Sequence, residues 1–129
     1  MILGVEHVAI MTTDIERAQK FYTEVLGFQQ VSRYESPEVG TMINLELNGT
    51  RIELFGGGTP REAPSEEDKV VGLVHLALGT DDVDEECARL KGLGVPFEVE
   101  PTTSRFSGNR LAFFRDPDGN RLELVKRPK

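Results

Sequence analysis

The sequence predicts an α+β fold in which one strand–helix–three-strand module (βαβββ) occurs twice in tandem. Three repeated features carry that prediction. Gly49-Thr50-Arg51-Ile52-Glu53-Leu54-Phe55 and Gly119-Asn120-Arg121-Leu122-Glu123-Leu124-Val125 are one heptapeptide with conservative exchanges, 70 positions apart. Each follows a histidine set among apolar neighbours, in Val5-Glu6-His7-Val8-Ala9-Ile10 and in Leu73-Val74-His75-Leu76-Ala77-Leu78. Leu26-Gly27-Phe28 in the first half is matched by Leu93-Gly94-Val95 in the second. The histidine-to-glutamate spacing is 46 in the first copy and 48 in the second. The expected organisation is one domain over 1–129, with repeats at about 3–56 and 71–127 and a connector at 57–70.

Each element has its own justification. Val5–Met11 is a short apolar run carrying one histidine, as expected of a buried strand. Thr13 or Asp14 caps a helix reaching about Val25, with Ile15, Ala18, Phe21, Tyr22 and Val25 at helical spacing. Gly27 supplies the residue that ends it. Strands follow at Phe28–Tyr34, Thr41–Leu47 and Thr50–Phe55, the last two joined by Asn48-Gly49, a strong hairpin signal. The second copy repeats the order: strand Leu73–Gly79, helix Asp82–Leu93 with Val83, Cys87 and Leu90 on its apolar face, then strands Phe97–Glu100, Arg110–Arg115 and Arg121–Lys126. Asp116-Pro117-Asp118-Gly119-Asn120 is the turn between the last two. The segment from Gly56 to Val70 holds three consecutive glycines, two prolines and several charges, and reads as the connector.

Bulk properties exclude several classes of function. The chain has 129 residues, 38% hydrophobic and 29% charged, within the range of soluble globular proteins. No apolar run approaches the roughly 18 residues of a membrane span. The formal charge of −7 repels a phosphate backbone, so no nucleic-acid partner is expected. The N-terminus lacks a basic stretch followed by an apolar one, and the single cysteine, Cys87, can form no intrachain disulfide. A cytoplasmic location and an inert thiol are the expectations.

Alternation along the strands sets the direction of the candidate ligands. Glu53 shares a face with Arg51 and Phe55, while Ile52 and Leu54 point the other way. Glu123 goes with Arg121 and Val125, opposite Leu122 and Leu124. His7 shares a face with Ala9, and His75 with Ala77. With both helices on one side of a curved sheet, His7, Glu53, His75 and Glu123 project from its other side. Two neutral imidazoles and two carboxylates suit one divalent ion, Ni²⁺, Zn²⁺, Co²⁺ or Mn²⁺, and leave positions open for substrate oxygens. His7 and His75 are the only histidines of the chain.

The runs His7-Val-Ala-Ile, Asp14-Ile-Glu-Arg-Ala-Gln-Lys-Phe-Tyr-Thr-Glu-Val-Leu-Gly-Phe28, His75-Leu-Ala-Leu, Asp116-Pro-Asp-Gly-Asn and Leu122-Glu-Leu-Val resemble the vicinal oxygen chelate superfamily. That group includes glyoxalase I, methylmalonyl-CoA epimerase, extradiol dioxygenases, fosfomycin-resistance enzymes and bleomycin-binding proteins. The resemblance implies paired βαβββ modules forming a half-open curved sheet with helices outside, a metal at its centre, and a homodimer. A fourth, first-module ligand at Glu53 resembles glyoxalase I and the epimerases rather than the two-histidine, one-glutamate dioxygenases.

The function expected from this resemblance is a divalent-metal-dependent lyase/isomerase of the glyoxalase I type. Glu53 or Glu123 would move a proton within the adduct of an α-ketoaldehyde and a thiol. Glyoxalase I usually has an arginine where Met11 stands and an asparagine where Gly57 stands, so glutathione is not the expected thiol. The first alternative is an epimerase resembling the methylmalonyl-CoA enzymes, with Glu38 in Pro37-Glu38-Val39-Gly40 as one catalytic base. The second is a non-catalytic protein that binds a small molecule such as an antibiotic. Arg51, Arg121, Met42, Asn44 and one of the adjacent pair Phe113 and Phe114 are candidate cavity residues, and Arg105 and Arg110 flank a loop able to close over a ligand.

Overall fold

The computed structural model describes residues 1–61 and 69–129, so part of the expected connector lies outside the described residues. The chain divides into two compact units, Met1–Arg61 and Glu62–Lys129. The first contains β1 (Val8–Met11), α1 (Ile15–Lys20), β2 (Gln29–Ser36), β3 (Gly40–Leu47) and β4 (Thr50–Phe55). The second contains β5 (Leu76–Gly79), α2 (Val83–Gly92), β6 (Phe97–Thr103), β7 (Arg110–Arg115) and β8 (Arg121–Lys126). Both are βαβββ modules of an α+β fold, with sheet orders β1-β4-β3-β2 and β5-β8-β7-β6. In each, the first strand runs parallel to the last, and the other neighbours are antiparallel. A parallel pair requires a long crossover, and the helix begins it.

The helix of each unit covers the face predicted by alternation. Ile43, Leu45, Ile52 and Leu54 are completely buried, together with Ala18, Tyr22 and Phe28 around α1. Ala112, Phe114, Leu122 and Leu124 form the second core with Val83, Cys87, Leu90 and Val95. Burial pushes the Cys87 thiol upward, as an inert core group requires. Phe113 lies on the opposite face from fully buried Phe114, so the two adjacent rings divide between the faces.

Several boundaries differ from the sequence expectation. The first strands start at Val8 and Leu76, not at Val5 and Leu73, and pair from there with Ile52 and Leu122. β2 runs over Gln29–Ser36 rather than Phe28–Tyr34, and β3 starts at Gly40 rather than Thr41. β6 extends to Thr103 rather than Glu100. The helix capped by Asp14 is α-helical only to Lys20 and continues as a π-helical turn over Phe21–Val25. Within that turn Leu26 N–H donates to Phe21 O at 3.1 Å, and the Thr23 hydroxyl donates back to Gln19 O at 2.8 Å, a bond that loosens a helical turn.

The two helix ends show the same device at two widths. In α2, Val95 N–H reaches Leu90 O and Gly94 N–H reaches Lys91 O, the paired bonds of a Schellman motif, with Gly94 at φ +89°. In the first unit Phe28 N–H reaches Tyr22 O and Gly27 N–H reaches Thr23 O, each bond spanning one residue more. Both helices start alike: Asp14 accepts from Arg17 N–H at 3.0 Å, and Asp82 from Glu85 N–H at 2.9 Å.

Gly94→Ala is expected to lower unfolding free energy by about 1 kcal/mol, since a side chain disfavours this φ although the surrounding space is open. Urea unfolding measures it. A second expectation concerns acid. The Arg110 guanidinium, bound to Asp84 at 2.7 and 2.9 Å, holds that carboxyl below the usual carboxylate range and ties α2 to β7. A depressed carboxylate stabilises the fold above its unfolded pKa of about 3.9 and loses that contribution as pH falls through the folded value. Arg110→Gln should therefore reduce stability at pH 6 and make the stability profile flatter between pH 5 and 3.

Candidate metal centre

The parallel ladder brings histidine and glutamate together inside each unit. Ala9 lies beside Glu53 in the β1–β4 register, and Ala77 beside Glu123 in the β5–β8 register. Two places before each alanine, one step ahead of the strand, stand His7 and His75. His7 Nε2 stands 2.9 Å from Glu53 Oε2, and His75 Nε2 stands 2.7 Å from Glu123 Oε2. The same two atoms meet in both copies.

This donor pair fits a divalent ion. Two ligand atoms about 2.1 Å from one ion and at right angles to each other lie about 3 Å apart. Without the ion, the same spacing is a hydrogen bond between imidazole and carboxylate. Glu53 and Glu123 differ in access, their side chains being 21% and 11% exposed.

The surroundings of the two pairs diverge. In the first unit, Glu6 Oε2 contacts the other ring nitrogen of the first imidazole, His7 Nδ1. Glu6, His7 and Glu53 thus bring one donor atom each within 4.8 Å of one another. The bond to His7 and the nearby positive charges hold the Glu6 carboxyl below its ordinary range, and the bond to Glu6 raises the His7 imidazole. Arg51 lies 3.8 Å from Glu6 and 3.5 Å from Glu46. In the second unit Val74 occupies the position of Glu6. There the Phe113 ring meets His75 edge-on at 5.3 Å, and the Arg121 guanidinium lies over the same ring at 3.9 Å. Burial lowers Arg121, and Glu123 opposes that shift.

The other candidates have partners or places of their own. Asn44, cross-strand from Glu53, donates to Ser32 Oγ at 2.8 Å. Arg110 is engaged by Asp84, and Arg105 stacks on exposed Phe106 at 5.2 Å. Glu38 stands exposed in the turn between β2 and β3. Four strand steps of β3, roughly 13 Å of extended chain, separate the end of that turn at Gly40 from Asn44.

Glu6 and the ring contact of Phe113 were not legible as site features. Strand alternation puts residues 6 and 7 on opposite faces, yet both precede the ladder and are free of its pleat. The only sequence signal is an acid directly before the first histidine.

Two βαβββ units in tandem, each setting an imidazole against a carboxylate, define the class of this architecture. The chain belongs to the Glyoxalase/Bleomycin resistance protein/Dioxygenase superfamily, which it matches over residues 4–124. It is 39% identical to YaeR of Escherichia coli K12 over 95% of both chains. It is 30% identical to a probable lactoylglutathione lyase of Vibrio parahaemolyticus, over 93% of this chain and 88% of the relative. Among solved structures, the glyoxalase family protein from Enterococcus faecalis superposes with a TM-score of 0.85 at 31% identity, covering 96% of this chain and 98% of the other. TnmS3, an antibiotic binding protein from Streptomyces sp. CB03234, gives 0.76 at 29% identity and 98% coverage of both. Members of the superfamily generally use a divalent metal and bind small molecules. No helix among the described residues is long and apolar enough to cross a membrane.

Proposed function

We propose that this protein is a divalent-metal-dependent lyase/isomerase of the glyoxalase I type, with His7, Glu53, His75 and Glu123 as ligands of one ion. The observation that carries this reading is the matched pair of Nε2–Oε2 contacts at 2.9 and 2.7 Å. The resemblance to a probable lactoylglutathione lyase supports the same reaction class. A bound Ni²⁺, Zn²⁺, Co²⁺ or Mn²⁺ supplies Lewis-acid polarisation of adjacent substrate oxygens.

The chain's own residues supply the proton transfer. Glu53 is the more accessible carboxylate and is assigned as the base, with Glu123 in the supporting role. On the hemithioacetal of an α-ketoaldehyde and a thiol, Glu53 removes the proton from the sulfur-bearing carbon and returns it to the neighbouring carbonyl carbon. The product is the isomeric 2-hydroxyacyl thioester, with no atom gained or lost. Met11 and Gly57 offer no charged or amide group to glutathione, which favours a different thiol. The epimerase alternative needs Glu38 beside the reacting carbon, and its place at the hairpin tip weighs against that role.

A homodimer belongs to the proposal. Ile2, Leu3 and Val5 before β1, and Val71, Leu73 and Val74 before β5, are apolar and exposed, Leu3 at 91% and Leu73 at 97%. These matched segments precede the two strands, and burying them requires another surface. The binding-protein alternative is favoured by the similarity to TnmS3. Metal retention separates it from the enzyme.

Protein stripped with chelator, reloaded and dialysed should hold about one divalent ion per chain by elemental analysis. His75→Ala should lose that ion and lower kcat/KM on α-ketoaldehyde–thiol adducts more than about 100-fold. No retained ion, or unchanged activity in His75→Ala, sinks the enzyme reading. Mixing a His7→Ala/Glu53→Ala chain with a His75→Ala/Glu123→Ala chain then locates the four ligands. Recovery of metal and activity in the mixture means that each site draws one His–Glu pair from each of two chains. Failure of chains shown to exchange subunits means that all four come from one chain.

A further inference from the structure

We propose that Glu6 is a positioning residue: its carboxylate accepts the Nδ1–H of His7, fixing the tautomer and the ring so that Nε2 presents its lone pair to the ion beside Glu53. The inference rests on the metal reading above and adds a residue that the four-ligand set does not contain.

The geometry separates this role from direct ligation. Glu6 contacts Nδ1 and Glu53 contacts Nε2, the two nitrogens of one ring. A carboxylate bound to Nδ1 sits across the ring from an ion at Nε2. A neutral imidazole carries one proton, so an acceptor at Nδ1 leaves Nε2 free as the donor atom. Such outer partners fix ligand orientation and raise ligand basicity.

Glu6 is itself held. Its Oε1 lies 3.8 Å from Arg51 Nη1, and Arg51 Nε lies 3.5 Å from Glu46 Oε2. A line of alternating charge therefore runs from β3 through β4 to the residue before β1. The second unit breaks that line at both ends, with Val74 in place of Glu6 and Arg115 in the cross-strand place of Glu46. His75 has the edge of Phe113 instead. The two imidazoles of the proposed site are thus supported by different means, and among the described residues only His7 has a second carboxylate on its ring.

The test uses the full chain with Zn²⁺ as probe. Zinc affinity is measured by chelator competition in wild type, Glu6→Ala and Glu6→Gln, and the ring nitrogens of His7 are read by NMR in the zinc-loaded protein. The Glu6 side chain is 69% exposed, so its truncation leaves the core intact. Glu6→Ala should weaken zinc binding about 10- to 100-fold, and Glu6→Gln, which keeps an acceptor, should recover part of the loss. Wild type should show a slowly exchanging Nδ1–H on His7 that disappears in Glu6→Ala. Wild-type zinc affinity in Glu6→Ala, or a His7 protonated at Nε2 in the loaded wild type, overturns this inference alone. Absence of zinc binding in wild type overturns the metal reading and this inference with it.

Discussion

The parallel ladder between the first and last strand of each unit is the constraint on which the rest depends. Val8 lies against Ile52 and Leu76 against Leu122, and that register decides which residues meet on the open face. A slip of one position would turn Glu53 and Glu123 toward the helices and bring Ile52 and Leu122 out. The register is enforced from the other side of the sheet. Completely buried Ile52, Leu54 and Leu122 cannot exchange places with a glutamate without burying an unpaired charge. The same alternation that fills the core therefore aims the carboxylates, and packing energy holds the chemistry in register.

Duplication keeps the ligand pair and releases everything around it. Both copies preserve the histidine, the glutamate, the arginine two positions earlier and the threonine and aspartate that start the helix. Around them, Glu6 is answered by Val74, Asn44 by Phe113, and Glu46 by Arg115. The first imidazole sits in an acidic, hydrogen-bonded setting, and the second against an aromatic ring with a guanidinium on its face. The two halves of the fold thus set the same donor pair in unlike surroundings.

Much of this was legible because repetition makes weak signals mutually supporting. β4, β7 and β8 begin and end where the heptapeptide and its neighbours indicate; buried and half-buried residues alternate in β4 and β7, whereas Glu123 in β8 is itself buried between Leu122 and Leu124. The π-helical turn was present in the numbers but passed unread. Both histidines precede their capping aspartate by seven positions, yet Asp14 to Gly27 spans 13 positions while Asp82 to Gly94 spans 12. One residue more, between the same cap and the same glycine, has to widen a turn. Glu6 was hidden for a different reason. Periodicity describes residues inside a ladder, and Glu6 stands two positions outside it, where the chain can fold an adjacent side chain back onto its neighbour.

Each unit alone supplies only one imidazole and one glutamate at the paired positions, too few donors to hold a divalent ion against water. Under the proposed reading, binding one pair converts attachment of the second into an encounter at high effective concentration, so the ion and the union of two half-sites stabilise each other. The apolar residues exposed before β1 and β5 work in the same direction, because they too gain only when another surface covers them. Where each ion draws one pair from each of two chains, metal uptake and assembly are two expressions of one equilibrium. A substitution in either apolar segment would weaken the ion's hold without touching a ligand, and loss of a ligand would loosen the assembly without touching the apolar surface.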